Sequence, residues 1–324
     1  SSLVGSEMCI RDSIKYYMAG MAFMAIPVAV GQTMALPGVS VACVREAPGH
    51  AAELGTQVLM GMPLRILGAA DGWVKVETPE GYTGYVIANS LETPTDKAFE
   101  AWRSSERVVV TAADQTYIYA SPEVSAANRV TDVVNGSVLQ VADAGAVEAE
   151  FIKVKVPFGR EGYILRSEVM PIGEFGSAGC HKQRVIEFAF RMMGQPYLWG
   201  GTSQKGVDCS GLTKAAYLSE GAILPRNASQ QARIGVGVDK SDIGGFEPGD
   251  LLFFGNPKTG RVNHVGLYIG DGRFIHSSGR VKVNSLRRGD AGYTPLPLLC
   301  VRRLDDATLS ALRMNRHEWY VAVD

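Results

Sequence analysis

The sequence shows no excess of charge of either sign. Its 324 residues include 32 Lys and Arg against 33 Asp and Glu, for a formal net charge of -1, and the two signs are interleaved. A nucleic-acid-binding surface needs clustered Lys and Arg, so we expect no nucleic-acid partner. Hydrophobic residues make up 46% of the chain, which indicates globular material long enough for two or three domains.

Cysteine is scarce, and its spacing is not that of a metal site. None of the five cysteines forms a CxxC pair, so neither a zinc site nor a disulfide framework is expected. No metal or organic cofactor is implied. Cys180 and Cys300 could pair in an oxidising compartment, a question that their spacing leaves open. The five are Cys9, Cys43, Cys180, Cys209 and Cys300.

The sequence also lacks an apolar run long enough to span a membrane. Residues 14–31 combine a lysine, a short apolar run and small residues before Gln32. A spanning helix needs about 20 apolar residues. This layout is typical of a secretory signal, with a short buried helix as the alternative. We therefore expect a periplasmic or secreted protein without stable membrane insertion once the signal is removed. Residues 1–13 match neither pattern and are interpreted as an extraneous extension.

Two segments of the sequence repeat. "TQVLMGMPLRIL" from Thr56 matches "TDVVNGSVLQVA" from Thr131 at an offset of 75 residues. "WVKVETPEGYTGYV" from Trp73 matches "FIKVKVPFGREGYI" from Phe151 at an offset of 78, and one turn insertion would explain the difference. The short alternating runs, cut by Gly, Pro and Asp, predict small antiparallel barrels.

This pattern resembles bacterial SH3 domains and predicts a multidomain chain. We place the two SH3-like barrels at residues 36–95 and 106–171, joined by a polar linker with a short helical piece. Helical patterns followed by strand patterns then predict an α+β domain with an antiparallel sheet at residues 181–305. The tail, residues 306–324, shows no readable chemistry.

The chemistry centres on the cysteine of "GVDCSGLTKAAY". Cys209 begins a predicted helix, whose N-terminus lowers a thiol pKa and offers backbone amides to an oxyanion. His264 and His276 lie on consecutive predicted strands joined by "GDG", so their rings can be neighbours. This arrangement predicts a nucleophile, a base (His264) and an orienting residue (His276). A buried structural thiol and a pair of metal-ligating histidines remain alternatives.

Residues 181–304 resemble an NlpC/P60 cysteine peptidase. The resemblance rests on "GQPYLWGGTSQKGVDCSGLTKAAY", "LPRNASQQA", "EPGDLLFFG" and "NHVGLYIGDGRFIHSS", which occur in the family's order. It implies a papain-like fold in which Cys209 attacks, His264 is the general base and His276 orients it.

The resemblance also implies roles around the nucleophile. Tyr197 matches a tyrosine near the oxyanion side, with core packing as its alternative. Asp208 and Ser210 flank the nucleophile and shape the pocket. Ordinary core packing is expected for Trp199.

Two SH3 domains before such a unit resemble one subgroup in particular. Its members are dipeptidyl-peptidases that cut γ-D-glutamyl to diamino-acid bonds in murein peptides, require a free N-terminal L-Ala and release L-Ala-D-Glu. The resemblance implies that Glu53 and Tyr82 close the S2 end of the pocket. Arg226 and Asn227 fall where relatives often carry Arg-Asp, and an asparagine accepts a hydrogen bond without bringing a charge. Ser277 completes the substrate-binding candidates.

Three other functions remain open at this stage. The same fold could act as an endopeptidase or amidase on intact stem peptides, or as an acyl transferase. A non-catalytic protein that docks its SH3 pair on the cell wall is the third alternative. The expected partners are therefore a murein peptide and, through the SH3 domains, the cell wall.

Overall fold

The computed structural model describes residues 31–142 and 150–322. These residues form two antiparallel β-sheets followed by an α+β region, so the chain is multidomain as predicted. Apart from Gly31, the predicted signal segment lies outside the described residues, as do residues 1–13 and Cys9. In the part of the chain that the structure describes, no helix is both long and apolar enough to cross a bilayer.

The first sheet has seven strands in the order β3-β2-β6-β5-β4-β1-β7. Alternate residues of β2 and β6 point inward, which is the two-residue period expected when one sheet face covers a core. The strands are β1 (Met34–Pro37), β2 (Val41–Arg45), β3 (Leu54–Leu59), β4 (Leu64–Ala70), β5 (Trp73–Glu77), β6 (Thr83–Ile87) and β7 (Leu91–Glu92).

The second sheet repeats this order strand for strand, as β10-β9-β13-β12-β11-β8-β14. The internal sequence repeat is therefore a structural repeat. The difference of three residues between the two offsets falls in the connection between β11 and β12, which includes residues 143–149. The strands are β8 (Arg107–Val110), β9 (Thr116–Tyr119), β10 (Arg129–Val133), β11 (Val138–Val141), β12 (Phe151–Val156), β13 (Arg160–Leu165) and β14 (Val169–Pro171).

A short helix joins the two sheets, as the sequence predicts. Helix α1 (Asp96–Ser104) begins after Thr95, whose hydroxyl caps it by accepting a hydrogen bond from the Ala98 N–H at 3.2 Å. Its Phe99 is buried, so the helix packs against its neighbours and is more than a polar linker.

The α+β region places its helices against a six-stranded antiparallel sheet of order β17-β22-β18-β19-β20-β21. The sequence analysis missed β17 and β21. The helices are α2 (Lys182–Arg191), α3 (Cys209–Leu218), α4 (Ala228–Gln231) and α5 (Asp306–Ala311). The strands are the small pair β15 (Thr202–Ser203) and β16 (Gly206–Val207), then β17 (Val236–Val238), β18 (Leu251–Asn256), β19 (Arg261–Gly270), β20 (Arg273–Ser278), β21 (Arg280–Ser285) and β22 (Leu298–Arg303).

The register of the β19–β20 hairpin brings the two candidate histidines together. Leu267 pairs with Ile275, which sets His276 opposite Gly266. His264 is two residues from Gly266 and so lies on the same face, diagonal to His276. A side chain at Gly266 would meet the Phe274 ring at 2.5 Å, so glycine keeps this face open.

The first sheet docks directly on the α+β region. The Gln57 side-chain oxygen accepts hydrogen bonds from the Thr202 N–H and the Ser203 hydroxyl, each at 2.9 Å. Glu80 of the first sheet forms a 3.1 Å ion pair with Lys214 of α3, and both side chains are almost fully buried. Removing one member of such a pair would leave an uncompensated buried charge, so this interface is strongly specified.

The C-terminal segment straps the first sheet to the rest of the molecule, a role that the sequence did not reveal. Met314 and Tyr320 are fully buried in the core of the first sheet. The Arg107 guanidinium donates to the Tyr320 carbonyl at 2.5 Å, and His317 Nε2 lies 3.1 Å from the Pro79 carbonyl. The segment predicted as a tail is therefore part of the folded structure.

Two glycines give a matched test of the docking. Gly200 and Gly194 have nearly equal positive φ angles, 79° and 81°, but a Cβ at Gly200 would lie 2.3 Å from the Leu54 carbonyl oxygen, whereas Gly194 faces open space. Gly194→Ala should lower the free energy of unfolding by only about 1–2 kcal/mol, the penalty for a side chain at a left-handed backbone position. Gly200→Ala should lower the free energy of unfolding by about 1–3 kcal/mol more, because the added methyl group overpacks the interface. Calorimetry of the full chain checks this, and equal Tm values for the two variants would contradict the close contact.

Candidate active site

Cys209 is the first residue of α3, where the sequence predicted it. Asp208 caps the helix, since its Oδ1 accepts a hydrogen bond from the Gly211 N–H at 2.8 Å. Only 8% of Cys209 is exposed. The cap fixes the helix start and with it the position of the thiol.

Asp208 and Ser210 line the cleft, but their polar atoms are occupied. Asp208 Oδ2 accepts from the Gly200 N–H at 3.0 Å and pairs with Arg226, and Ser210 Oγ accepts from Arg226 Nη1 at 2.9 Å. These contacts hold the residues on either side of Cys209 in place.

Arg226, a predicted substrate-binding residue, lies in the wall of the cleft. The side chain is 3% exposed, and its guanidinium donates to Asp208 and Ser210 and, through Nε at 2.9 Å, to the Gly55 carbonyl. These bonds tie the first sheet to the cap of α3, and direct contact of Arg226 with substrate stays a prediction.

Ser277, also predicted to bind substrate, is fully buried, and its hydroxyl donates to the Val207 carbonyl at 2.9 Å. Its contact with substrate stays a prediction. Ser277 joins β20 to the segment that enters α3.

The two histidines form a hydrogen-bonded pair, as the hairpin predicted. His264 Nε2 lies 2.6 Å from His276 Nδ1, and the ring planes cross at 78°. His276 Nε2 lies 2.7 Å from Asn284 Oδ1 on β21, a contact that the sequence analysis missed. Since β21 itself was not predicted, no pattern pointed to Asn284.

Burial keeps both histidines neutral near neutral pH. Burial, followed by the neighbouring His276 and Lys282, lowers the pKa of His264 to about 4. Burial also lowers the pKa of His276, against the opposing effect of its hydrogen bond to Asn284. A neutral imidazole retains a lone pair and so can accept a proton.

The pKa of Cys209 departs from the prediction. Hydrogen bonds from the backbone N–H groups of Val265 and Ser210 lower it, as expected at a helix start, but burial and the Asp208 charge outweigh them. The net effect raises the pKa, so the resting group is a thiol. Val265 follows His264 in the chain, so this contact also brings Cys209 beside the strand that carries the base.

Two aromatic residues of the α+β region, Tyr197 and Trp199, line the cleft of about 380 Å³ that holds Cys209. Burial and then the neighbouring Cys209 raise the pKa of Tyr197 to about 12, so its hydroxyl remains protonated and can donate a hydrogen bond. Trp199 was predicted to pack in the core, but it is 61% exposed at the rim of the cleft. It lies in a surface turn whose local sequence does not distinguish rim from core.

The first sheet supplies an acidic end to the same cleft. Glu53 and Tyr82 line it, as the sequence predicted, together with Glu46, which the sequence analysis missed. The Tyr82 hydroxyl donates to the Glu46 carboxylate, and burial together with this bond raises the pKa of Tyr82. Glu46 directly follows β2 in a loop, and no motif marks it.

Asn227 is an exposed residue at the edge of the cleft. It is the N-cap of α4, and its backbone N–H donates to the Gln230 side chain at 3.0 Å. Its position matches the predicted substrate-binding region.

The other cysteines carry no visible chemistry. Within residues 31–142 and 150–322, Cys43, Cys180 and Cys300 are free and partly buried. The same residues include no cluster of three or more His, Cys, Asp or Glu side chains that could hold a metal ion.

Similar proteins agree with this fold and site. A family model described as "NlpC/P60 family" matches residues 194–296, and one described as "Bacterial dipeptidyl-peptidase Sh3 domain" matches residues 44–91. The gamma-D-glutamyl-L-lysine dipeptidyl-peptidase of Bacillus cereus is 31% identical over 242 residues, covering 70% of this chain and 68% of the relative. Dipeptidyl-peptidase 6 of Lysinibacillus sphaericus is 31% identical over 250 residues, covering 74% of this chain and 86% of the relative.

A solved structure gives the same result. The crystal structure of an NlpC/P60 family protein from Bacillus cereus superposes with a TM-score of 0.71 at 25% identity, covering 86% of this chain and all of that one. A cysteine at a helix start beside two bonded histidines, with an SH3-like β region ahead of it, defines a cysteine peptidase of modular architecture. The chain belongs to the NlpC/P60 family.

The raised pKa of Cys209 predicts how its alkylation depends on pH. The rate follows the thiolate fraction, which rises about tenfold per pH unit until the pH reaches the pKa, and for this raised thiol the pKa lies above the ordinary cysteine value of about 8.5. We expect iodoacetamide labelling of Cys209, followed by peptide mass spectrometry, to accelerate continuously from about pH 6 to pH 9. A plateau across the lower half of this range would indicate a resting thiolate–imidazolium pair and contradict the prediction.

Proposed function

We propose that this protein hydrolyses the γ-D-glutamyl to L-diamino acid bond of murein peptides with a free N-terminal L-Ala, releasing L-Ala-D-Glu. The observation that carries the proposal is the cleft itself, where Cys209 of the α+β region meets Glu46 and Glu53 of the first sheet. The names of the curated relatives support the same bond, with L-lysine as the diamino acid.

The reaction follows from the order of the groups. The Cys209 thiol loses its proton to His264 as the sulfur attacks the γ-glutamyl carbonyl carbon, giving a tetrahedral intermediate. The Cys209 N–H at the start of α3 and the Tyr197 hydroxyl donate to the oxyanion. Protonated His264 then transfers the proton to the leaving amine of the diamino acid as the C–N bond breaks. Water next attacks the acyl carbon and gives its proton to His264, and the proton returns to the Cys209 sulfur as the C–S bond breaks.

The acidic end supplies the requirement for a free amine. An ammonium group bound between Glu46 and Glu53 would gain charge-assisted hydrogen bonds, whereas an acylated nitrogen would give neither carboxylate a cationic partner and leave Glu46 with its Tyr82 hydrogen bond. Asn227 brings no charge to the same cleft. The two carboxylates of the first sheet therefore carry the charge recognition, and this closed end disfavours a muramyl-linked stem.

We extend the proposal to the domains. Residues 36–95 and 106–171 form two SH3-like domains, residues 181–305 form a papain-like catalytic domain, and the strap comprises the described part of the predicted tail, residues 306–322. Among the described residues that line the cleft, none belongs to the second sheet. The first SH3-like domain thus shapes specificity, and the second is the one free to contact the cell wall.

We also propose that the protein acts in the periplasm or outside the cell. The layout of residues 14–31 and the location of murein support this proposal. No cofactor takes part in the reaction as written.

Product analysis tests the bond and the amine requirement. L-Ala-γ-D-Glu-L-Lys and its diaminopimelate counterpart should release L-Ala-D-Glu, while their N-acetylated forms should remain uncleaved, as measured by mass spectrometry. Cys209→Ala should abolish turnover because no other group in the cleft replaces the nucleophile. Equal cleavage of free and acetylated peptides would indicate an endopeptidase acting on intact stems.

Substitution of the two carboxylates tests the acidic end separately. Glu46→Gln and Glu53→Gln should each raise KM for the free peptide about tenfold or more, since each removes a charge-assisted hydrogen bond to the ammonium. Glu123→Gln, at an exposed residue of the loop between β9 and β10, is the charge-matched control and should leave KM unchanged. Loss of kcat with unchanged KM in both cleft variants would contradict amine recognition.

A further inference from the structure

Asn284 lies at the far end of a row of hydrogen-bonded groups that begins at His264 and continues through His276. His276 pairs with Lys282 across β20 and β21, so Asn284 is its diagonal neighbour on the same face. Asn284 Oδ1 lies 2.7 Å from His276 Nε2, and Asn284 Nδ2 lies 2.5 Å from the Gly292 carbonyl oxygen.

The Gly292 carbonyl fixes the orientation of the Asn284 amide. A carbonyl oxygen only accepts hydrogen bonds, so the amide NH₂ must face Gly292 and the amide oxygen must face His276. The same carbonyl accepts from the Ser285 N–H at 3.0 Å, which holds it in place independently of the side chain. The acceptor at His276 is therefore built into the turn after β21.

The amide orientation determines the position of every proton in the row. Asn284 Oδ1 only accepts, so His276 Nε2 carries a hydrogen, and in the neutral ring His276 Nδ1 then has a lone pair. His264 Nε2, 2.6 Å away, must donate to that lone pair. The remaining nitrogen of neutral His264, Nδ1, is left unprotonated.

We infer that Asn284 is a positioning residue that selects the Nε2–H tautomer of both histidines and so makes His264 a base. This inference deepens the proposed function, on which it rests for the role of His264. Without an acceptor at residue 284, the hydrogen bond between the two rings can reverse its direction, with His276 Nδ1–H donating to His264 Nε2. His264 then carries its hydrogen on Nδ1, which has no lone pair to accept the thiol proton.

The charged groups near the pair do not select a tautomer by themselves. Lys282 on β21 faces both rings, and its charge disfavours protonation of either one. His264 and His276 are the titratable groups in the row, and Cys209 contacts the backbone of Val265, the residue after His264. The neutral amide oxygen of Asn284 is thus the group that distinguishes the two nitrogens of His276.

Nitrogen NMR tests the inference without depending on turnover. The full chain with ¹⁵N-labelled histidine is measured near pH 7 by long-range proton–nitrogen correlation, with signals assigned through His264→Gln and His276→Gln. We expect the Nε2–H form for both rings. An Nδ1–H form for either ring would overturn the inference, even if the murein-peptide activity is present, and the expected tautomers would support it even if that activity is absent.

Two variants of Asn284 distinguish its role as hydrogen-bond acceptor for His276 from its role in anchoring the turn at Gly292. Asn284→Leu removes both contacts and should lower kcat about fivefold to tenfold with KM unchanged, while an Nδ1–H population of His276 emerges. Asn284→Asp loses the donor to Gly292 but keeps an acceptor for His276, so it should retain the Nε2–H tautomers and most of kcat. Calorimetry confirms that both are folded. Equal loss of kcat in the two variants, with native tautomers in both, would show that anchoring alone matters and overturn the inference.

Discussion

The buried ion pair between Arg226 and Asp208 is the interaction on which the site depends. Asp208 caps α3 and so sets the start of the helix at Cys209. Arg226 adds the Gly55 carbonyl of the first sheet to the same network. Two charges taken out of water are tolerated only where their remaining hydrogen-bonding capacity is met, and here it is met by backbone groups of separate domains. The same hydrogen-bonded network therefore both positions the nucleophile and helps to dock the first sheet.

The same burial that fixes these groups also sets their chemistry. Desolvation raises the pKa of Cys209 and lowers that of His264, so the neutral forms predominate before substrate binds. Charge separation is then confined to the moment of attack, when backbone N–H groups at the helix start face the developing oxyanion. A resting thiol is also less exposed to oxidation than a resting thiolate.

The parts of the structure that follow local periodicity could be predicted from the sequence. The pairing of His264 and His276 follows from two alternating strands and a short turn, and the repeated sheet follows from repeated alternation. The structural contacts of Arg226 and Ser277 could not be predicted, because their partners, Gly55 and Val207, are distant in sequence and belong to the backbone. Glu46 and Asn284 were missed for the same reason, since loop position and cross-strand register give them their roles.

The strap has a consequence for the order in which the molecule is assembled. The first sheet is synthesised early, but its core includes Met314 and Tyr320, which leave the ribosome after the whole catalytic region. Until those side chains arrive, the first sheet exposes the apolar residues that pack against them. A nascent chain that already contains the nucleophile would therefore lack the complete core of the sheet that carries Glu46 and Glu53, so that hydrolysis of murein peptides becomes possible only when synthesis of this segment is finished.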